Sequence, residues 1–414
     1  MDLGDTANAE AESWGKPLDG VRILAAEQMQ ALPFATQLLA RLGAEVVKVE
    51  HPVHGESGRG SLPAMVDPSG RDVGATFLRN NFNKRSVGLD LKSPEGRDIF
   101  LALVPKFDVI AENFKPGTMD RLGLGYDDIA AIAPKAIYLS ISGFGNTRDS
   151  PYQTWPAYAA VVEAMSGIYE YKNGSDVPPT TIPVGALGDI SSGLFAVIGV
   201  LAALRHRDHT GLGQHVDVAM YDAMVSMTDI VTNFWSMGVR PHRQVPVICE
   251  GFKASDGYVV TQIVRDAQFA RLAELIGHPE WIDDPRFATR EGWLPNLETV
   301  IRPGIEAWLS TRSKLEASIE LTAAGIVAGP SNSAADVIAD PHVANRHMLV
   351  AMDRTDGVDE PLLVPGNPVK LSRMMEGPET RMPWVGEHSS EVLSQELGLD
   401  ADALDALRAA GVIN

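Results

Sequence analysis

Cysteine is almost absent from this chain of 414 residues, which contains only Cys249. A single cysteine excludes a disulfide within the chain and is typical of a protein in a reducing compartment. Because no histidine-rich context surrounds Cys249, we predict a packing role for it rather than a nucleophilic one. The sequence therefore favours a cytoplasmic protein whose chemistry uses other side chains.

Positive charge is also scarce: the chain has 35 lysines and arginines but 54 aspartates and glutamates, which gives a formal net charge of −19. This balance argues against nucleic acid or an anionic membrane as the main partner. Long apolar runs are missing too: the longest, residues 194–204, is too short to span a bilayer and predicts a buried helix. Residues 1–16 are polar and acidic, unlike a signal peptide, and we expect a loose lead-in there.

Short apolar segments alternate with helical patterns from residue 20 onward. Strands are predicted at 21–27, 45–51, 108–113 and 136–145, with helices between them that include 33–43 and one capped by Ser93. Strands separated by helices of this length indicate βαβ units and a parallel sheet, so the predicted fold class is α/β. No glycine-rich dinucleotide fingerprint follows the first strand.

The pattern of predicted secondary structure changes near residue 250 and suggests two domains. After the lead-in at 1–16, we predict a large domain at 17–225, a linker at 226–250 and a small α+β domain at 251–345. The small domain starts with a hairpin that turns at Asp256-Gly257. A final segment, 346–414, is expected to return to the large domain.

Four long stretches of the sequence, 17–52, 77–100, 112–145 and 183–227, resemble the family III CoA-transferases. That superfamily includes formyl-CoA transferase, the carnitine and bile-acid CoA-transferases and α-methylacyl-CoA racemase. The resemblance implies a Rossmann-like large domain, an interlocked dimer, and acyl-CoA and carboxylic acids as substrates. It also implies that coenzyme A is substrate and product, with no permanently bound cofactor.

Asp189 matches the family position of the nucleophile. A carboxylate suits CoA transfer because it forms an anhydride with the acyl group and then a thioester with CoA. From spacing alone, Asp189 is also a candidate N-cap of a helix that starts at Ile190. We predict that the N–H groups of Gly188 and Ile190 stabilise an oxyanion, and that Gly185 and Gly188 allow close approach of substrate.

Gln30 matches the family position whose amide lies beside the reacting carboxylate. The CoA site should offer cations and backbone N–H groups to phosphates. By family position, the candidates for CoA binding are His51, Lys84, Arg85, Asn113, Phe114 and Arg121. Tyr158 and Glu163 are candidate acyl-site residues, although the carboxylate that many members carry directly after Tyr158 is absent here.

Two alternative functions stay open at this point. One is an acyl-CoA racemase, which needs an acid and a base around the α-carbon, but Tyr158 stands where related racemases carry histidine. The other is a CoA-binding, non-catalytic subunit of a hetero-oligomer. His206, His209 and His215 lack the pattern of a metal site and are expected in a connection between domains. The apolar stretch 230–237 suggests a larger acyl group than formate.

Overall fold

The computed structural model of the protein describes residues 1–173, 178–181, 185–240 and 246–414. It divides the chain into two compact units, Met1–Ser236 with Ala344–Asn414, and Met237–Val343. The described strands are β1 (Arg22–Ala26), β2 (Glu45–Glu50), β3 (Ala64–Val66), β4 (Asp72–Gly74), β5 (Lys84–Gly88), β6 (Val109–Glu112), β7 (Ile137–Ser142), β8 (His215–Ala219), β9 (Ile248–Ala254), β10 (Gly257–Ile263), β11 (Val327–Pro330), β12 (Leu349–Met352) and β13 (Leu362–Pro365).

The α-helices of the same residues are α1 (Ala31–Arg41), α2 (Ala75–Asn80), α3 (Pro94–Leu103), α4 (Thr118–Leu122), α5 (Tyr126–Ile132), α6 (Ala159–Met165), α7 (Ile168–Asn173), α8 (Leu187–Thr210), α9 (Met220–Met227), α10 (Asp229–Ser236), α11 (Asp266–Leu275), α12 (Arg302–Leu309), α13 (Lys314–Ala323), α14 (Ala334–Ala339), α15 (Pro341–Asn345), α16 (Ser389–Leu397) and α17 (Ala401–Ala409). The hydroxyl of Ser93 caps α3 by accepting a hydrogen bond from the N–H of Gly96 at 3.0 Å, as predicted.

Six strands form one parallel sheet in the order β5-β2-β1-β6-β7-β8. Counted along the chain, this is the 3-2-1-4-5-6 order of the Rossmann fold. The predicted α/β class is therefore confirmed. The strand order reverses between β1 and β6, and ligands of such sheets bind beside the carboxyl ends of the strands at that reversal.

Both faces of the sheet are covered by helices. In β1, Ile23 and Ala25 pack with α1, α6, α8 and α9, whereas Leu24 and Ala26 pack with α3, α5, α16 and α17. A parallel strand buried on both faces needs apolar side chains at consecutive positions rather than alternating ones. This requirement explains the unbroken apolar run that marks the first strand in the sequence.

The prediction of a buried helix holds for only one face of α8. Ala196 and Val200 lie in the core, whereas Leu194, Ile198 and Leu201 are exposed. By length and composition α8 would also pass as a membrane span, but 44 % of its most apolar window is buried, and core helices of soluble proteins pass the same test. The buried side packs against α1, where Gly193 lies close to the backbone of that helix, and against β7 and β8.

The second unit is built around the antiparallel sheet β11-β10-β9. Ala254 pairs with Gly257, so the hairpin predicted there exists, and its two-residue loop is Ser255-Asp256. Helices α11, α12 and α13 cover one face of this sheet with a separate apolar core. The predicted hairpin followed by helices indicated an α+β unit of this kind.

Three expectations from the sequence are wrong. The lead-in is not loose, because Leu3 and Ala7 donate backbone hydrogen bonds to Ala351 and Glu376, and a short 3₁₀ helix follows at Ala9–Trp14. Cys249 is exposed on β9 rather than packed. His215 does not lie in a connection between domains, because it begins β8, the sixth strand of the sheet.

Candidate active site

A cavity of about 210 Å³ lies at the carboxyl edge of the parallel sheet. The loops after β1, β6 and β7 line it together with the first residues of α1 and α9 and with Asp189 of α8. Two of these loops are joined at the strand-order reversal. The backbone N–H of Gln28 donates to Oδ1 of Asn113, and Nδ2 of Asn113 donates back to the carbonyl of Gln28, both at 2.9 Å. The cavity thus occupies the position where a ligand of this fold is expected.

Asp189 lines this cavity as the third residue of α8. It is not the N-cap, since the helix begins at Leu187 and Ala186 takes the cap position with a left-handed φ of 36°. The Asp189 carboxylate has no hydrogen-bond partner among the described residues. Burial and the negative charge of Glu163 together raise its pKa to about 6, against the opposing influence of Arg79. At neutral pH the group is therefore still mostly ionised and is held by no other side chain.

Glu163 lies behind the first turn of α8 and is 2 % exposed. Its Oε1 accepts a hydrogen bond from the backbone N–H of Gly188 at 3.1 Å, and its Oε2 accepts one from the hydroxyl of Tyr169. Glu163 is absent from the cavity lining, in contrast to its predicted acyl-site role. Its carboxylate instead anchors the turn that carries Asp189 and places a second negative charge nearby.

The predicted oxyanion donors are both occupied. The N–H of Gly188 is bonded to Glu163, and the N–H of Ile190 donates to the carbonyl of Ala186 at 3.0 Å within the helix. Gly188 is required for packing rather than for substrate approach, because a Cβ there would lie 2.9 Å from the Cα of Ala159 in α6. An oxyanion must therefore be stabilised by another group.

Gln30 is the residue that the structure offers for this role. It directly precedes α1, lines the cavity and is 7 % exposed. A guanidinium nitrogen of Arg79, in α2, donates a hydrogen bond to Oε1 of Gln30. This bond fixes the orientation of the amide and leaves its N–H₂ group without a partner among the described residues. Arg79 also lies close enough to Asp189 for each to influence the pKa of the other.

The backbone that presents Gln30 is held in a strained conformation. Met29 has a φ of 60°, which is uncommon for a residue with a side chain. Its N–H donates to Oε2 of Glu56 at 2.8 Å, and Glu56 is buried near Lys48. Strain of this kind persists only where the surroundings impose it. The Glu56 carboxylate therefore helps to set the position of the Gln30 side chain.

A second cavity, of about 320 Å³, continues along the same edge of the sheet toward β2 and β5. Gln28 and Phe114 line both cavities. His51 lines the second one and is exposed, as is Lys92. Arg121 is exposed on α4, whose residues Thr118 and Leu122 line the cavity. Of the predicted CoA-binding residues, the structure thus brings His51, Asn113, Phe114 and Arg121 to one edge.

Lys84 and Arg85 do not join them, which corrects both predictions. Lys84 is 3 % exposed, and its ammonium donates to Oε1 of Glu27 at 2.7 Å. Burial lowers the pKa of Lys84 to about 8, while the charge of Glu27 opposes that shift. Arg85 pairs with Glu45 and Glu391, and Glu45 begins β2 at the opposite edge of the sheet. Neither cation is free to meet a phosphate.

Three polar residues of β7 and β8 hold the loop after β7, which lines the first cavity, through hydrogen bonds. Ser140 Oγ lies 2.7 Å from Nε2 of His215 and donates to Asp217 at 3.2 Å. Asp217 accepts the backbone N–H groups of Asn146 and Thr147, both at 2.8 Å. Burial alone would raise the pKa of Asp217, but these hydrogen bonds bring it below its usual value. The cluster has a positioning role, since Ser140 is fully buried.

Tyr158 directly precedes α6, lines the first cavity and is 71 % exposed. The apolar stretch 230–237 does not line that cavity in the part of the chain described, so it gives no support to a large acyl group. Over the same residues, no group of three or more histidine, cysteine, aspartate or glutamate side chains is arranged to hold a metal ion.

Comparisons with known proteins give a consistent result. A family model described as CoA-transferase family III matches residues 18–389. The chain is 37% identical over 387 residues to a succinyl-CoA:mesaconate CoA-transferase of Haloarcula hispanica, covering 91% of this chain and 96% of the relative. It is 35% identical over 405 residues to the β subunit of a succinyl-CoA–L-malate CoA-transferase of Chloroflexus aurantiacus, covering 96% of this chain and 98% of that subunit. A solved CAIB/BAIF family protein from Brucella suis superimposes with a TM-score of 0.80 at 34% identity, covering 92% of this chain and all of that one.

Proposed function

The chain belongs to family III of the CoA-transferases and transfers CoA between an acyl-CoA and a carboxylate, and we propose that Asp189 is the nucleophile of this reaction. The proposal rests on the position, the missing hydrogen-bond partner and the ionisation of the Asp189 carboxylate. It lines a cavity at the carboxyl edge of the sheet, it has no hydrogen-bond partner among the described residues, and its pKa of about 6 leaves it ionised at neutral pH. An unpartnered anionic carboxylate in a cavity is available to attack a thioester.

The first half of the reaction forms the enzyme thioester. An Oδ atom of Asp189 bonds to the acyl carbon of the donor, the C–S bond breaks, and CoA leaves as its thiolate. The thiolate then attacks Cγ of Asp189, and the bond from Cγ to the bridging oxygen breaks. The donor acid departs as a carboxylate that carries this oxygen, and Asp189 is left as a thioester of CoA.

The second half runs the same steps with the acceptor. The acceptor carboxylate attacks Cγ of the thioester and expels the CoA thiolate, which forms a second anhydride. The thiolate attacks the acyl carbon of the acceptor, which yields the new acyl-CoA and restores the Asp189 carboxylate. No proton is gained or lost over the cycle, so the site needs no general acid. This balance agrees with a cavity in which no histidine is among the lining residues.

Each attack passes through a tetrahedral oxyanion, and we assign its stabilisation to Gln30. The amide N–H₂ group of Gln30 has no other partner among the described residues, and Arg79 fixes the amide through its oxygen. A donor that is already oriented costs no reorganisation when the negative charge develops. Loss of one such donor typically costs about 10²- to 10³-fold in kcat.

CoA is proposed to extend along the carboxyl edge through both cavities. The thioester end would lie beside Asp189, the pantetheine chain would pass Gln28 and Phe114, and the nucleotide would occupy the second cavity. Lys92 lines that cavity and Arg121 lies on α4 beside it, and both would meet the phosphates as cations, while His51 would contact them through its imidazole ring. We also propose that the enzyme binds CoA only as substrate and product.

The proposed substrates are small dicarboxylic acids and their CoA thioesters. The two relatives are named for succinyl-CoA as donor and for mesaconate or L-malate as acceptor, all of them dicarboxylate compounds. A cavity of about 210 Å³ around Asp189 suits acyl groups of that size better than long apolar chains.

Subunit association is part of the proposal. The exposed apolar side chains of Leu194, Ile198 and Leu201 form a stripe on α8 that a second subunit would cover. We propose an interlocked homodimer, and the relative named as a β subunit makes a hetero-oligomer the alternative. The mass of the purified protein in solution distinguishes the two, because a monomer without activity would point to a missing partner chain.

Trapping the enzyme thioester tests the proposed nucleophile. The protein is incubated with succinyl-CoA, treated with borohydride to reduce an aspartyl thioester to its alcohol, and digested for mass analysis. The proposal predicts the reduced residue at position 189 in the wild type and none in Asp189→Asn, which keeps the shape of the side chain. Reduction at another residue, or turnover by Asp189→Asn at the wild-type rate, would contradict it.

A further inference from the structure

Arg79 is a half-buried cation that forms no ion pair in the described part of the chain. It does not itself line the first cavity, but its guanidinium contacts Gln30, which lines that cavity together with Asp189. Its one recorded side-chain hydrogen bond goes to the neutral Oε1 of Gln30. Burial lowers the pKa of Arg79, and the negative charge of Asp189 opposes that shift. The other arginines buried in this unit are paired: Arg41 with Glu379, and Arg59 with Glu50. Arg79 is therefore an exception that the packing of the fold does not explain.

The charge around Arg79 changes during the proposed reaction. In the free enzyme the carboxylate of Asp189 partly compensates the guanidinium. In the anhydride and in the thioester, Asp189 is neutral, so that compensation is lost in both covalent states. A charge away from bulk water that loses its partner is costly, so these states favour another anion beside Arg79.

On the basis of the proposed function, we propose that Arg79 binds the second, non-reacting carboxylate of the substrate and so makes the enzyme selective for dicarboxylates. The reacting carboxylate is the poorer candidate, because it becomes neutral in the anhydride. A guanidinium bound to it would also withdraw electron density from the oxygen that must form the new bond. Only the distal carboxylate stays charged in every state of the cycle, and the planar guanidinium suits a carboxylate in two-point contact.

Gln30 links the two ends of this site. Its oxygen accepts from Arg79, and its N–H₂ group is directed to the oxyanion in the proposed mechanism. A substrate whose distal carboxylate contacts Arg79 is therefore positioned with respect to the same side chain that stabilises its reacting end. Selectivity and positioning are thus expected to change together for dicarboxylates and to leave monocarboxylates less affected.

The test compares succinate with butyrate, which has the same number of carbon atoms and lacks the second carboxylate. Both are offered as acceptors with acetyl-CoA as donor, in the wild type and in Arg79→Ala, Arg79→Met and Arg79→Lys. We expect Arg79→Ala and Arg79→Met to lower kcat/KM for both acceptors, because the amide of Gln30 loses the hydrogen bond that orients it, and to lower it about 100-fold more for succinate than for butyrate. Arg79→Lys keeps the charge but not the planar fork, and an intermediate loss of about tenfold is expected.

Arg408→Ala is the matched control, because Arg408 is an exposed arginine of α17 that pairs with Asp405. It should leave both rates unchanged. Equal losses for succinate and butyrate in the Arg79 variants would overturn the inference, because they would assign Arg79 to the reacting centre or to folding. If the variants fail to fold, the wild-type enzyme alone still tests the proposal. Equal kcat/KM values of the wild type for succinate and butyrate would overturn it.

These outcomes are separate from those that test the nucleophile. A wild type that prefers succinate but yields no reduced residue at position 189 would contradict the role of Asp189 and leave the role of Arg79 intact. A reduced residue at 189 without any preference for succinate would contradict only the role of Arg79.

Discussion

The carboxylate of Glu163 accepts a hydrogen bond from the backbone N–H of Gly188, the residue directly before Asp189. This contact joins α6 to the first turn of α8 and places two carboxylates close together. Burial raises the pKa of Asp189, and the negative charge of Glu163 adds to this shift because it disfavours a second negative charge nearby. The structure thus positions the candidate nucleophile and adjusts its ionisation with the same side chain.

Replacing Glu163 by glutamine should shift the pH dependence of the reaction. The amide keeps an acceptor for Gly188 but removes the charge, so the pKa of Asp189 should fall from about 6 by about half a unit to one unit. Because the ionised carboxylate is the active form, the acid limb of the kcat/KM profile should move to lower pH by the same amount. Profiles between about pH 4.5 and 8 measure it. An acid limb that does not move would show that Glu163 has only a structural role.

Asp189→Asn should stabilise the protein at neutral pH. The pKa of Asp189 is raised from 3.8 to about 6 on folding, so ionisation costs the folded state free energy above that range. In the wild type this cost is absent below about pH 4, grows as the pH rises toward 6, and is complete above it, reaching about 1–3 kcal/mol. Denaturant unfolding at pH 4 and pH 8 tests the sign. The variant should exceed the wild type at pH 8 and match it at pH 4, and the reverse order would contradict the raised pKa.

Gly188→Ala should separate α8 from α6. The new Cβ would lie 2.7 Å from Cγ2 of Val162 and 2.9 Å from Cα of Ala159, so one helix must shift. We expect a loss of about 1–3 kcal/mol in the free energy of unfolding, together with a loss of activity. Gly60→Ala is the control, because a Cβ there meets no atom within 4 Å. Full activity and stability of Gly188→Ala would contradict the packing role of this glycine.

Lys84 and Arg121 should behave in opposite ways. Lys84→Met leaves the carboxylate of Glu27 buried without its closest cation and should cost about 3–5 kcal/mol of stability. Arg121→Ala removes an exposed cation and should leave stability unchanged while it raises KM for acyl-CoA about tenfold. Thermal unfolding and steady-state kinetics of both variants measure the contrast. A raised KM without destabilisation in Lys84→Met would restore the phosphate-binding role that the sequence suggested.

In the parallel sheet, the strands with continuous apolar runs could be predicted from the sequence, whereas β5 and β8 could not. β1 and β7 are buried on both faces and show it in their composition. β5 begins with Lys84-Arg85, and β8 carries His215 and Asp217, so neither has an apolar run. Their polar side chains are satisfied by partners far away in sequence, such as Glu27 and Ser140. Periodicity does not detect such partners.

Some residues of the candidate site could likewise be predicted from the sequence, and others could not. Asp189 and Gln30 follow from motifs that match a family, and the structure brings both to one cavity. Arg79 was missed because α2 and α8 are separated by more than a hundred residues, and no local spacing links a cation in one to a carboxylate in the other. The expected oxyanion donors failed for a different reason: the N–H of Gly188 meets Glu163 only when α6 packs against α8. Contacts of this kind depend on tertiary packing.

The transfer of a heavy oxygen atom tests the central claim most directly. In the proposed cycle, the oxygen that returns to Asp189 comes from the acceptor carboxylate, because the bond from Cγ to the original bridging oxygen breaks in the first half-reaction. After turnover with acetyl-CoA and succinate labelled with ¹⁸O in its carboxylates, the peptide that contains Asp189 should carry ¹⁸O. Turnover that leaves this peptide unlabelled would contradict covalent catalysis by Asp189.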